Sequence, residues 1–140
     1  MMNISYESMK KHFTFNSLIL TKNDNITEIL IKNEVPNTFG IYIIYKNEVV
    51  YKNIIYIGKA GEIDNTGINK KQGLIKRLSN TRDKKTANEY FKDLFTENIE
   101  KLIIEYYETP TSLIPSFVEG VLIQEYFQSF QKLPLLNKAY

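Results

Sequence analysis

The hydrophobic positions of this chain fall into a few runs with distinct periods. The clearest is Phe39-Gly40-Ile41-Tyr42-Ile43-Ile44-Tyr45, β-branched or aromatic nearly throughout, which predicts a strand. Ile54-Ile55-Tyr56-Ile57-Gly58 has the same character. Residues 46–53 between them predict the turn of an antiparallel hairpin, with Val49, Val50 and Tyr51 extending the second strand. Apolar residues on both faces predict that helices cover both sides of the sheet. From Lys101 to Thr109 the alternation predicts a third strand: Leu102, Ile104 and Tyr106 share one face, and Ile103, Glu105 and Tyr107 the other.

Elsewhere the period lengthens to that of a helix. Leu74, Ile75 and Leu78 form the apolar edge of a short one. Thr86-Ala87-Asn88-Glu89 is a capping box ahead of a helix that buries Tyr90, Phe91, Leu94 and Phe95. Ser116-Phe117-Val118-Glu119 is a second such box, opening a helix that carries Val118, Leu122, Ile123, Tyr126, Phe127 and Phe130 and stops before Pro134. The segment 60–73, with Gly61, Gly67 and Gly73, reads as a loop. Residues 1–35 read as helical pieces, with Asp24 or Asn25 capping a helix that carries Ile26, Ile29 and Leu30. The expected fold is α+β: a small three-stranded antiparallel sheet flanked by helices, in the order β-β-α-α-β-α, over residues 36–140. An N-terminal helical arm, residues 1–35, packs on it.

Composition narrows the chemistry. At 140 residues and 43% hydrophobic, the chain is expected to form one domain with a real core. Cysteine is absent, which excludes disulfides and thiolate metal sites, and the single histidine, His12, excludes zinc sites of the His-x-x-x-His kind. Catalysis therefore falls to Tyr, Lys, Arg, Glu, Asp, Ser or Thr. No apolar run reaches signal-peptide or membrane-span length, so no membrane partner and a cytoplasmic location are expected.

Charge is unevenly placed. The chain carries only +2, yet Lys70, Lys71, Lys76, Arg77, Arg82, Lys84 and Lys85, opposed only by Asp83, give +6 within one short stretch. Both arginines of the chain lie there. A basic face on a near-neutral body suits contact with a phosphate backbone, and equally suits a solvated surface.

Gly40-Ile41-Tyr42 followed by Tyr56-Ile57-Gly58 resembles the paired signature of the GIY-YIG nuclease family. Other features follow in the family's order: Lys59 after the second triplet, Lys76-Arg77-Leu78 on the next helix, Glu119 near the start of the last helix, and Pro134-Leu135-Leu136-Asn137 at the end. Together they span about residues 36 to 138. The resemblance implies an endonuclease that hydrolyses DNA phosphodiester bonds at a single-metal site holding Mg²⁺ or Mn²⁺. By the same resemblance Tyr56 activates or positions water, Tyr42 supports the site, Arg77 holds the phosphate, Lys59 assists, and Glu119 binds the metal. Glu125, which matches a second family glutamate counted back from Asn137, is the alternative ligand. Lys70, Lys71, Lys76, Arg82, Lys84 and Lys85 are expected to steer DNA. Because the arm is short, three alternatives stay open: the domain recognises little by itself, forms a homodimer, or works beside a partner protein that supplies target recognition.

The residue types suit that chemistry. Magnesium accepts one carboxylate and keeps its waters. Arginine presents a fork of donors to phosphate and stays charged. Each residue also has a plain structural reading. Tyr42 and Tyr56 suit a core, Gly40 and Gly58 relieve crowding in strands, Arg77 suits an exposed helix face, Glu119 suits a capping box, and Asn137 suits a tie for the C-terminal segment. The chain departs from the family at two points. The linker from Ile43 to Ile55 is longer than usual, and Thr81 stands where the family often has Tyr or His. The alternative function is a nucleic-acid-binding domain of the same fold without cleavage activity.

Overall fold

The computed structural model describes residues 3–67, 69, 70 and 73–140. The architecture is α+β, built on a four-stranded antiparallel sheet. A short helix α1 (Met9–His12) leads into β1 (Thr14–Thr21), and α2 (Ile26–Lys32) follows. The hairpin β2 (Gly40–Lys46) and β3 (Ile54–Ala60) comes next, then a small ribbon of β4 (Glu62–Ile63) and β5 (Asn69–Lys70). Helices α3 (Leu74–Leu78) and α4 (Ala87–Lys92) lead to β6 (Lys101–Glu108), and α5 (Pro115–Phe130) closes the order.

The sheet order is β1-β6-β2-β3. The expected hairpin and third strand are present, but the count of three strands is corrected to four. Thr14–Thr21, expected to be helical, pairs with β6 along its whole length, from Thr14↔Glu108 to Thr21↔Lys101. Only Leu18 and Leu20 of β1 are buried, so its sequence carries half of a strand's usual apolar signal. Val49 and Val50 do not extend β3, and Tyr51 lies in a single 3₁₀ turn, Tyr51–Asn53, that ends the hairpin connection. The segment expected to be a loop contains the β4–β5 ribbon.

Each face of the sheet has its own core. Tyr42, Ile44, Leu102, Ile104 and Tyr106 face α2, α3 and α4, meeting Leu30, Leu74, Leu78 and Phe91. Ile41, Ile43, Tyr45, Ile57, Ile103 and Tyr107 face α5, meeting Val118, Leu122, Ile123 and Tyr126. That second core includes a carboxylate. Glu105 accepts hydrogen bonds from Tyr45 (2.6 Å) and Tyr107 (2.9 Å) and pairs with Lys10 at 3.3 Å. Satisfied on each side, the charge is tolerated in the core, and it ties the N-terminal segment to the sheet.

The helix starts separate the two proposed capping boxes. Thr86 and Glu89 cap α4 reciprocally, and Asn25 caps α2. Ser116 and Glu119 do not cap α5, because the helix begins at Pro115 with Ile114 at the N-cap, two residues before a Ser116 cap would place it. Proline suits the first helical position, where no N–H is needed. Ser116 is thereby inside the helix, and Glu119 turns elsewhere.

Candidate functional site

The β2–β3 register brings the two signature triplets together. Tyr42 pairs with Gly58, and Ile44 with Tyr56. Tyr42, Tyr56 and Gly58 thus share the face toward α3 and α4, with the two rings 5.7 Å apart. Gly58 makes this possible: a Cβ there would lie 2.5 Å from Tyr42 Cζ and 2.6 Å from Tyr56 Cε2. Gly40 serves the backbone, since a Cβ would collide with the Tyr107 carbonyl oxygen of β6 and with Leu74.

Tyr56 opens onto a cavity of about 690 Å³ that Arg77, Thr81, Arg82, Tyr90 and Glu119 also line. Three groups that the resemblance singles out, a phenol, a guanidinium and a carboxylate, thus reach one concave surface from β3, α3 and α5. Arg77 is exposed on α3 beside buried Leu78. Tyr42 lies beneath, fully buried, and meets the site through the Tyr56 ring and through Arg82.

Arg82 is the main finding that the sequence conceals. Expected as an exposed DNA contact, it turns inward and donates from Nη2 to Tyr42 Oη (3.0 Å) and to the Arg77 carbonyl (3.2 Å) at the end of α3. Its guanidinium lies 5.4–5.9 Å from the ring centroids of Tyr42, Tyr56, Tyr90 and Phe91. Its Nε is buried without a hydrogen-bond partner among the described residues. A cation among four π faces is compensated without a carboxylate, and it places a fixed positive charge behind the two phenols.

Glu119 is nearly buried, and burial pushes its carboxyl above the usual range. The Tyr140 hydroxyl and the charges of Lys59 and Arg77 oppose that rise. Tyr140 Oη donates to Glu119 Oε1 at 3.1 Å. Burial, followed by the Glu119 charge, pushes the Tyr140 phenol up to about 12. Burial likewise raises Tyr56, with the Tyr42 phenol adding to it and Arg82 and Arg77 opposing. Tyr56 therefore keeps its proton near neutral pH and can hold a water, but is a poor acceptor for the water's proton.

The remaining sequence candidates separate by place. Lys59 does not line the cavity; strand alternation puts it on the opposite face from Tyr56, where it acts on Glu119 through charge. Glu125 lies on another side of α5, accepting from the Tyr6 backbone N–H at 2.9 Å and lining a separate apolar groove. Asn137 pairs with both backbone groups of Ile57 (3.1 and 2.9 Å), and the Leu136 N–H donates to Ile55 O, so the C-terminal segment is tied to the outer edge of β3. Of the expected DNA contacts, Lys76 and Lys84 are exposed, Lys85 is held by Asp93, Lys70 is placed only as a residue of β5, and Lys71 lies outside the described residues.

Among the described residues no three His, Cys, Asp or Glu side chains gather as a metal site. Among the described residues Glu119 and Asp83 are the carboxylates that line the cavity, and Lys138 holds Asp83 at 3.1 Å. Among the described residues no helix is long and apolar enough to cross a membrane. Comparison with protein-family models, curated proteins and solved structures gave no match.

Proposed function

We propose that this chain is a metal-dependent endonuclease of the GIY-YIG kind, hydrolysing phosphodiester bonds in DNA at the cavity between β3, α3 and α5. The observation that carries the reading is that Tyr56, Arg77 and Glu119, far apart in sequence, line one cavity. Around a phosphate in that cavity, Arg77 offers its fork of donors to the non-bridging oxygens. Tyr56 holds the attacking water by its hydroxyl, and Tyr42 with Arg82 fixes the Tyr56 ring from behind. The Arg82 charge adds to the positive field at the phosphate.

Glu119 suits a divalent cation. It is a hard oxygen donor, nearly buried, with no cation within ion-pair distance among the described residues. Mg²⁺ or Mn²⁺ on one carboxylate and its own waters is an ordinary arrangement. Bound there, such an ion would neutralise phosphate charge and acidify water.

A second reading, a DNA-binding domain of this fold without cleavage, is favoured by two observations. The Tyr140 hydroxyl occupies Glu119, and the exposed Thr81 supplies no proton acceptor near neutral pH. Nicking of supercoiled plasmid in Mg²⁺ or Mn²⁺ separates the two. Under the nuclease reading the wild type cuts, EDTA stops it, and Arg77→Ala and Glu119→Ala each lower the rate by about 10²-fold or more, the effect expected when an electrostatic contact to the reacting group is lost. Salt-sensitive binding without cutting supports the second reading; neither cutting nor binding refutes both.

A further inference from the structure

A second concave surface adjoins the candidate cavity. Lys46, Lys52, Lys132 and Lys138 line a groove of about 470 Å³ that, among the described residues, no Asp or Glu lines. Leu135, Asn137 and Lys138 belong to both surfaces, so the groove continues from the cavity along the C-terminal segment. Lys138 is paired with Asp83, but Lys46, Lys52 and Lys132 have no carboxylate within ion-pair distance among the described residues. Folding thus collects four lysines from two separate parts of the chain, 46–52 and 132–138, and leaves three of them without an ion pair among the described residues. Like charges around one concavity repel, and an anion relieves that repulsion. An ammonium is a point charge with little demand on direction, which suits a string of phosphates more than one precisely held group.

We propose that this four-lysine groove is the track for the phosphodiester backbone of the DNA strand beside the scissile phosphate. The inference rests on the nuclease reading for the position of that phosphate. It moves the principal backbone contact away from the Lys70–Lys85 stretch, where Arg82 is turned inward and Lys85 is already paired.

The test is fluorescence anisotropy of a labelled DNA duplex over a KCl series, in EDTA so that nothing is cut. Each neutralised phosphate contributes about 0.9 to the slope of log K against log [salt]. Lys46→Gln/Lys52→Gln/Lys132→Gln is expected to lower that slope by about 2–3 and to weaken binding at low salt tenfold or more. A remote triple, Lys11→Gln/Lys22→Gln/Lys32→Gln, removes the same charge from exposed positions and is expected to change the slope by less than half as much. Equal loss in both triples, or a groove triple that binds like wild type, overturns the groove. Failure of the parent reading looks different. If the groove is right and the nuclease reading wrong, the groove triple loses binding while the wild type never nicks plasmid. If the nuclease is right and the groove wrong, the groove triple binds and cuts like wild type while Glu119→Ala does not cut.

Discussion

Adding one methyl at Gly58 probes the packing of the two signature phenols. In Gly58→Ala the new carbon falls 2.5 Å from Tyr42 Cζ, 2.6 Å from Tyr56 Cε2 and 2.7 Å from Tyr42 Oη. Comfortable carbon contacts are about 3.5–4.0 Å, so the shortfall is about 1 Å. Gly58 does not have a left-handed backbone, so alanine is unstrained there and restricts the unfolded chain, a gain of about 0.4–1 kcal/mol. Against that gain stands overpacking of about 1–3 kcal/mol. Tyr42 is fully buried, and if it moves it gives up its hydrogen bond from Arg82, a charged donor worth about 1.5–3 kcal/mol. The clash and the lost bond are alternatives in part, since movement relieves the first at the cost of the second, so the expected net loss is about 1–3 kcal/mol. Urea unfolding measures it as a lower midpoint at an unchanged slope. A double-mutant cycle with Tyr42→Leu is expected to yield a coupling of about 0.5–3 kcal/mol. An alanine variant as stable as wild type, or more so, refutes the packing of both phenols over Gly58.

Two further predictions concern the edges of the site. Glu119→Gln removes a buried carboxylate whose pKa is raised in the folded state. Between its unfolded and raised folded values the native state holds the proton more tightly, so wild-type stability falls as pH rises through that window. Glu119→Gln is expected to flatten this fall and to be at least as stable as wild type at neutral pH while abolishing cutting; melting temperature against pH checks it, and a variant less stable than wild type at neutral pH contradicts it. Asn137→Ala removes both hydrogen bonds to Ile57 and is expected to cost about 1–3 kcal/mol, with faster hydrogen exchange at the Ile57 amide; unchanged exchange contradicts the tie.

Much of this arrangement was legible in the sequence, for physical reasons that also explain what was hidden. β2 and β3 are buried on both faces, so their apolar runs stood out, while the facing of Tyr42 and Tyr56 depended on the hairpin register that the pairing of β2 and β3 sets. β1 is an edge strand with one exposed face; its strand character comes from pairing with β6, a tertiary contact that local pattern does not encode. Arg82 read as one member of a basic run because nothing local distinguishes it from Lys84. Its inward turn depends on rings supplied by β2, β3 and α4. Pro115 and the Ser116–Glu119 pair were competing signals for one helix start, and proline prevailed. The four-lysine groove was invisible along the chain, since its members are scattered through a remainder whose net charge is negative.

A crystal structure of Glu119→Gln bound to an uncut DNA oligonucleotide tests the central claim most directly. The account predicts a backbone phosphate inside the cavity, its non-bridging oxygens within hydrogen-bond distance of the Arg77 guanidinium, and the Tyr56 hydroxyl on the side of the attacking water. DNA lying on another face, with Arg77 free in solvent and the cavity holding no phosphate, would contradict it.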